Sequence, residues 1–145
     1  PERMGSRGSP LTREGDPDLT SLTVLVVDDE PDARDIMRRM LENAGASVQT
    51  AASVPEAMHL VECTRFSVLV SDISMPGQDG YALIGAVRRH ADSATRNTPA
   101  LALTAHARGE DRLRALAAGF QLHVSKPVHA QEFIAAVANI SGKRA

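Results

Sequence analysis

Val24-Leu25-Val26-Val27-Asp28-Asp29-Glu30-Pro31 is an unbroken apolar run that stops on acids and a proline. Three of its four apolar residues are β-branched, and a short continuous run of that kind suits a strand covered on both faces. The strand is read as Leu22 to Asp28. Pro31 stands near a first helical turn and Gly45 where a C-terminal cap belongs. Between them Ile36, Met37, Met40 and Leu41 form an apolar stripe, so a helix is expected from about Asp32 to Ala44.

Outward from this βα unit the same grammar repeats. Strands are expected at Ala46 to Ala51, Phe66 to Ser71, Ala100 to Thr104 and Leu122 to Ser125. Ser53 with Glu56 has capping-box spacing for a second helix carrying Ala57, Leu60 and Val61. The run from Ser74 to Gly80 is turn chemistry, and helices follow over Tyr81 to about Ala91, Gly109 to Ala118 and Gln131 to Ile140. A polar connection is expected up to Pro99. Five strands alternating with five helices predict an α/β fold around a parallel sheet.

Residues Pro1 to about Thr20 hold Gly5, Gly8 and Gly15 without apolar periodicity and read as a flexible leader or interdomain linker. The packed domain is expected over 21–142, with 143–145 as a tail. At 145 residues the chain fits one core. A net charge of -2 with dispersed basic residues excludes a broad nucleic-acid footprint. Aromatics are 3% of the chain, which leaves little for base stacking. Cys63 is the lone cysteine, read as neutral or structural, and no stretch has the apolar length of a membrane span. A cytoplasmic address is the expectation, with no membrane contact by this domain.

The polar residues that stand out all end expected strands: Asp28 and Asp29, Asp72, Thr104 and Lys126. Sites in open α/β sheets form at that edge. With strand order 2-1-3-4-5 the first and third strands are neighbours, and three carboxylates converge. Their repulsion is relieved by raised pKa values or by a hard divalent cation with oxygen ligands. Open water and several acids favour the cation, and Mg2+ is the expected ion. Mg2+ shares its shell with phosphate oxygens, which points to phosphoryl transfer. Asp72 is then the nucleophile, with the Lys126 ammonium and the Thr104 hydroxyl as partners for phosphoryl oxygens. Taken singly, each residue has an ordinary reading: solvated acids, a turn aspartate, a β-branched strand end, an exposed lysine. Their conjunction at four strand ends does not.

The sequence strongly resembles the response-regulator receiver family of two-component signalling. The pieces are Val24 to Glu30, Val70-Ser71-Asp72-Ile73-Ser74-Met75-Pro76-Gly77 with Asp79-Gly80, Leu103-Thr104-Ala105, and Ser125-Lys126-Pro127, and the resemblance runs from about Ser21 to Ile140. It implies a flavodoxin-like doubly wound (βα)5 fold with order 2-1-3-4-5. It implies that Asp72 accepts the phosphoryl group from a histidine kinase or histidine phosphotransfer domain. Asp29 and Asp72 would ligate Mg2+ directly, Asp28 mostly through water, and Ser74 through its backbone carbonyl. Thr104 would be the switch hydroxyl, small Ala105 would leave the site open, and the Lys126-Pro127 bond would be cis. A downstream protein would read the face of the fourth helix, fifth strand and fifth helix, including parts of Arg108 to Leu116 and Gln131 to Val137. Such a domain catalyses only its own phosphorylation and dephosphorylation.

His123 departs from the family pattern. It stands where many relatives have a Tyr or Phe switch residue, and imidazole is smaller and titratable. The run Gly119 to His123 looks more like receivers of hybrid sensor kinases or chemotaxis-associated regulators than like the large DNA-binding subfamily. His106, two past Thr104, occupies a position that influences phosphoryl lifetime in the family. His59, His90, His106 and His129 lack metal-ligand spacing and are expected on the surface. An aspartate-nucleophile phosphohydrolase would want a second Asp two past the nucleophile, but Glu30 follows Asp28 at that distance. A flavin or dinucleotide module would want a Gly-rich cradle where this chain has acids. A receiver-like scaffold working without phosphorylation is the third alternative.

Overall fold

A computed structural model describes residues 18–105 and 109–142. The leader up to residue 17, the tail 143–145, His106 and Arg108 lie outside the described residues. The strands are β1 (Thr23–Val27), β2 (Ser47–Ala51), β3 (Val68–Asp72), β4 (Ala100–Thr104) and β5 (Leu122–Ser125). The helices are α1 (Pro31–Asn43), α2 (Val54–Cys63), α3 (Gly80–Arg88), α4 (Ser93–Arg96), α5 (Gly109–Ala118) and α6 (Ala130–Ser141). All neighbouring strands are parallel, and the order is β2-β1-β3-β4-β5. No helix among the described residues is long and apolar enough to cross a membrane.

Strand alternation sorts the core into two layers, because successive side chains point to opposite faces. Val24, Val26, Val68, Val70, Leu101 and Leu103 pack with Met37 and Leu41 of α1 and with Phe133 and Val137 of α6. Leu25, Val27, Leu69, Ala100 and Ala102 pack on the other face with Ala57 of α2, Leu83, Ile84 and Val87 of α3, and Ala115 of α5. The central strands β3 and β4 are buried at every position, so both read as continuous apolar runs until a polar residue ends them. That termination is what brings the polar side chains to one edge.

Two expectations about organisation need correction. The connection before Pro99 contains α4, a single turn capped by Asp92, whose Oδ2 accepts from the Thr95 amide (3.3 Å) and hydroxyl (3.0 Å). Four residues, with Ala94 the one apolar side chain, carry no apolar stripe, so periodicity passed over the turn; the Asp92 cap was its one signal. The fourth and fifth helices of the sequence reading are therefore α5 and α6. The packed domain also begins before Ser21: Leu19 is fully buried in the α1/α6 layer, and its amide donates to the Ala44 carbonyl at 2.8 Å. Gly45 follows α1 at φ 108°, and a side chain there would meet Thr20 Oγ1 at 2.7 Å. The close approach of residues 18–20 depends on that glycine.

Candidate functional site

Asp28 and Asp29 follow β1, Asp72 ends β3, Thr104 ends β4, and Lys126 follows β5. The carboxylates of Asp28, Asp29 and Asp72 each offer an oxygen, and these lie within 4.8 Å of one another. Lys126 Nζ stands 2.9 Å from Asp28 Oδ2 and 3.3 Å from Asp72 Oδ2. Asp28 is fully buried and Asp72 nearly so, while Asp29 opens toward solvent. Thr104 is buried beside them, and its carbonyl accepts from the Lys126 amide at 2.8 Å, which ties β4 to the lysine-bearing loop. The Lys126-Pro127 peptide is cis.

Each acid is oriented by the backbone around it. The Glu30 amide donates to Asp28 Oδ1 (2.9 Å), and the Ser74 amide donates to Asp72 Oδ1 (3.3 Å). Gly80 enforces the second turn: its amide donates to the Ile73 carbonyl (3.0 Å), and a Cβ there would lie 2.6 Å from the Asp72 carbonyl oxygen. Asp79 caps α3 by accepting from the Ala82 amide at 3.0 Å. The sequence marked Asp79-Gly80 as turn chemistry and as part of the family resemblance; the cap spacing was the signal for a helix starting against the site.

Burial first, and then the neighbouring Asp28 charge, push the Asp72 carboxyl above the ordinary carboxylate range. The Lys126 charge and the Ser74 amide oppose that push without cancelling it. Burial pulls the Lys126 ammonium down, but bonding to Asp28 and the charges of Asp28 and Asp72 outweigh it and hold Lys126 above its usual value. Two largely buried acids therefore share one cation. Asp28 Oδ2 is buried and, apart from that ammonium, has no hydrogen-bond partner among the described residues. A hard divalent ion with oxygen ligands suits this donor set, since it offsets the surplus negative charge.

The family model for the response regulator receiver domain matches residues 24–138. The chain belongs to that family. An uncharacterized 14.6 kDa protein in the sodA1 3' region of Leptolyngbya boryana is 48% identical over 116 residues, 80% of this chain and 87% of that protein. The sensor protein EvgS of Escherichia coli is 32% identical over 107 residues, which are 74% of this receiver and 9% of that protein. Among solved structures, the Vibrio cholerae chemotaxis protein CheY4 superposes with a TM-score of 0.77 at 31% identity, covering 82% of this chain and 98% of that one. The receiver domain of the Pseudomonas aeruginosa sensor histidine kinase PA1611, with a magnesium ion in its active-site cleft, gives 0.75 at 29% identity and covers 84% and 98%.

His123 lies in β5 paired with Ala102 of β4, and its Nε2 is buried without a hydrogen-bond partner among the described residues. Alternation puts His123 on the sheet face shared by Ala102 and Thr104. His59 and His129 are exposed, as expected. His90 is not a plain surface residue: its side chain is 17% exposed, Nε2 meets Glu62 Oε2 at 3.0 Å, and Nδ1 accepts from the Asp92 amide at 3.0 Å. The α4 turn tied to it, through the Asp92 amide and through Arg96 Nη1 on the His90 carbonyl (3.1 Å), was the element that periodicity did not show. Cys63 is an exposed free thiol.

Proposed function

We propose that this receiver is a phosphoacceptor switch in which Asp72 takes a phosphoryl group from a phosphohistidine on a histidine kinase or phosphotransfer domain. The observation that carries the reading is the convergence of three carboxylates and one ammonium at adjoining strand ends, two of the acids buried. A purely structural cluster of this kind is costly, because each buried charge loses solvation.

In the proposed step a carboxylate oxygen of Asp72 forms the bond to phosphorus while the phosphorus–nitrogen bond of the donor breaks. The imidazole keeps the electron pair and takes a proton from water. Lys126 stays beside the accepting oxygen and meets the added negative charge, and the Thr104 hydroxyl donates to a second phosphoryl oxygen. Asp28, Asp29 and Asp72, together with the Ser74 carbonyl, would hold a magnesium ion at this edge. A bound magnesium ion supplies charge neutralisation for the transferring oxygens. An apolar groove of about 400 Å³ has Lys126 in its wall, along with Ala33, Ile36, Met37, Ala105, Pro127 and Val128. It gives a macromolecular donor apolar footing next to the reacting atoms.

Output follows from shifting an existing equilibrium. The new charge at Asp72 strengthens contacts to Thr104 and Lys126 in one conformation, and His123, on the Thr104 face of the sheet, passes the change outward. The face of α5, β5 and α6 is where a downstream protein reads it; Leu113 and Leu116 of α5 stand 67% and 39% exposed there. The test is intact-mass analysis after incubation with Mg2+ and acetyl phosphate. One phosphoryl adduct on the wild type and none on Asp72→Asn is the expected result. A wild type that binds Mg2+ but takes no adduct from acetyl phosphate, phosphoramidate or a histidine kinase would be a scaffold instead.

A further inference from the structure

Arg34, in the first turn of α1, reaches back to the acidic edge: its Nη1 donates to the Asp28 carbonyl at 2.8 Å. The other polar atoms of Asp28 are already held. Its amide donates to the Ala51 carbonyl (3.1 Å), Oδ1 accepts from the Glu30 amide (2.9 Å), and Oδ2 faces Lys126 Nζ (2.9 Å). Arg38 and Arg39 of the same helix pair instead with Asp35 and Glu42 along its outer side. Arg34 alone among these three is turned inward.

The Asp28 carbonyl shares a rigid plane with the Asp29 amide, because the peptide unit does not twist. Holding that oxygen fixes the plane from which the Asp29 side chain departs, and Asp29 is the most solvent-open of the three acids. We propose that Arg34 is a positioning residue that aims Asp29 at the cation position by pinning the Asp28–Asp29 peptide. The proposal rests on the magnesium reading of the site given above. Supporting groups behind metal ligands are typically worth 10–100-fold in metal affinity. A guanidinium near a cation also repels it through space, so the two roles have opposite signs when the side chain is removed.

Calorimetric titration of the full chain with Mg2+ separates them, using wild type, Arg34→Ala and Arg34→Gln, each well below its melting temperature. The expected result is an affinity about tenfold weaker or more for Arg34→Ala. Arg34→Gln, a neutral donor able to reach the same carbonyl, retains most of the wild-type affinity. Arg34→Ala binding as well as wild type or tighter overturns the proposal, as does Arg34→Gln weakened as far as Arg34→Ala. A wild type that binds no Mg2+ overturns the magnesium reading itself, and the positioning role with it.

Discussion

Asp72 sits where a buried strand meets water, and that position governs its charge. Burial and the Asp28 charge raise its folded-state pKa above the unfolded value. The native state thus binds a proton more readily, and keeping Asp72 ionised costs stability. The cost is fully present above the folded pKa and vanishes as pH falls below the ordinary carboxylate range. Without Mg2+, Asp72→Asn is therefore more stable than wild type at neutral pH by on the order of 1 kcal/mol, or roughly 4 °C in a domain of this size. Thermal melts across pH test the sign: the advantage shrinks on acidification, and a constant or growing gap contradicts it. Gly80 makes a second prediction at this scale. A Cβ at 2.6 Å from the Asp72 carbonyl and 2.8 Å from the Ile73 Cα meets backbone that must move. Gly80→Ala is expected to lose about 1–3 kcal/mol in denaturant unfolding and to slow phosphorylation of Asp72; unchanged kinetics would show that the turn does not set the site. The residues themselves were legible because each polar side chain ends an apolar run. Gly80 and Arg34 were not, since both act on backbone atoms whose position no side-chain pattern records.

Among the elements, the region between α3 and β5 owes its order to Arg88. Its Nε and Nη2 donate to the Gly119 carbonyl (3.0 and 2.7 Å), Nη1 to the carbonyls of Thr98 (2.7 Å) and Arg96 (2.9 Å), and Nη2 to Gln121 Oε1 (3.2 Å). Gln121 Oε1 in turn accepts from the Ala100 amide at 2.6 Å, where β4 begins. One guanidinium therefore joins the end of α3, the α4 turn, the end of α5 and the start of β5. Gly119, at φ 124°, lets the chain pass: a Cβ there would lie 3.0 Å from Arg88 Cγ. Arg88→Met keeps much of the aliphatic stem but strands these carbonyls, and a loss of about 2–3 kcal/mol is expected from the urea midpoint at unchanged slope. A loss under about 0.5 kcal/mol, the size of an ordinary surface substitution, would show that water replaces the clamp. The sequence displayed Arg88 only as a basic residue late in a helix. Its partners are three main-chain oxygens and one side-chain amide oxygen, and the Arg96 carbonyl lies on an element with no periodic signal. The strands were read to within two residues at either end because continuous apolar runs bounded by polar residues leave little freedom, and β4 and β5 were read with the bounds they have.

For the whole molecule, the doubly wound order follows from βα repetition and from crossovers that pack helices on both faces of a parallel sheet. The split of odd and even strand residues between two core layers was implicit in the runs themselves. What remained outside the reach of pattern was the start of the domain, where Leu19 is a single apolar residue amid polar ones, and the α4 turn. The fold brings the acids together at an energetic cost, and a ligand that binds only the folded state repays it by mass action. Mg2+ at a hundred times its dissociation constant is expected to stabilise the wild type by about 2.7 kcal/mol. Asp29→Asn should lose most of that shift in a melt. An equal shift in both proteins would place the ion elsewhere.

The most direct measurement locates the phosphoryl group. Protein treated with acetyl phosphate and Mg2+ is reduced with borohydride, which converts an aspartyl phosphate to homoserine, and the peptides are sequenced by mass spectrometry. Homoserine at position 72 alone is the predicted result. Homoserine at position 28 or 29, or a phosphoryl group that survives as a stable ester or on a histidine, would contradict it.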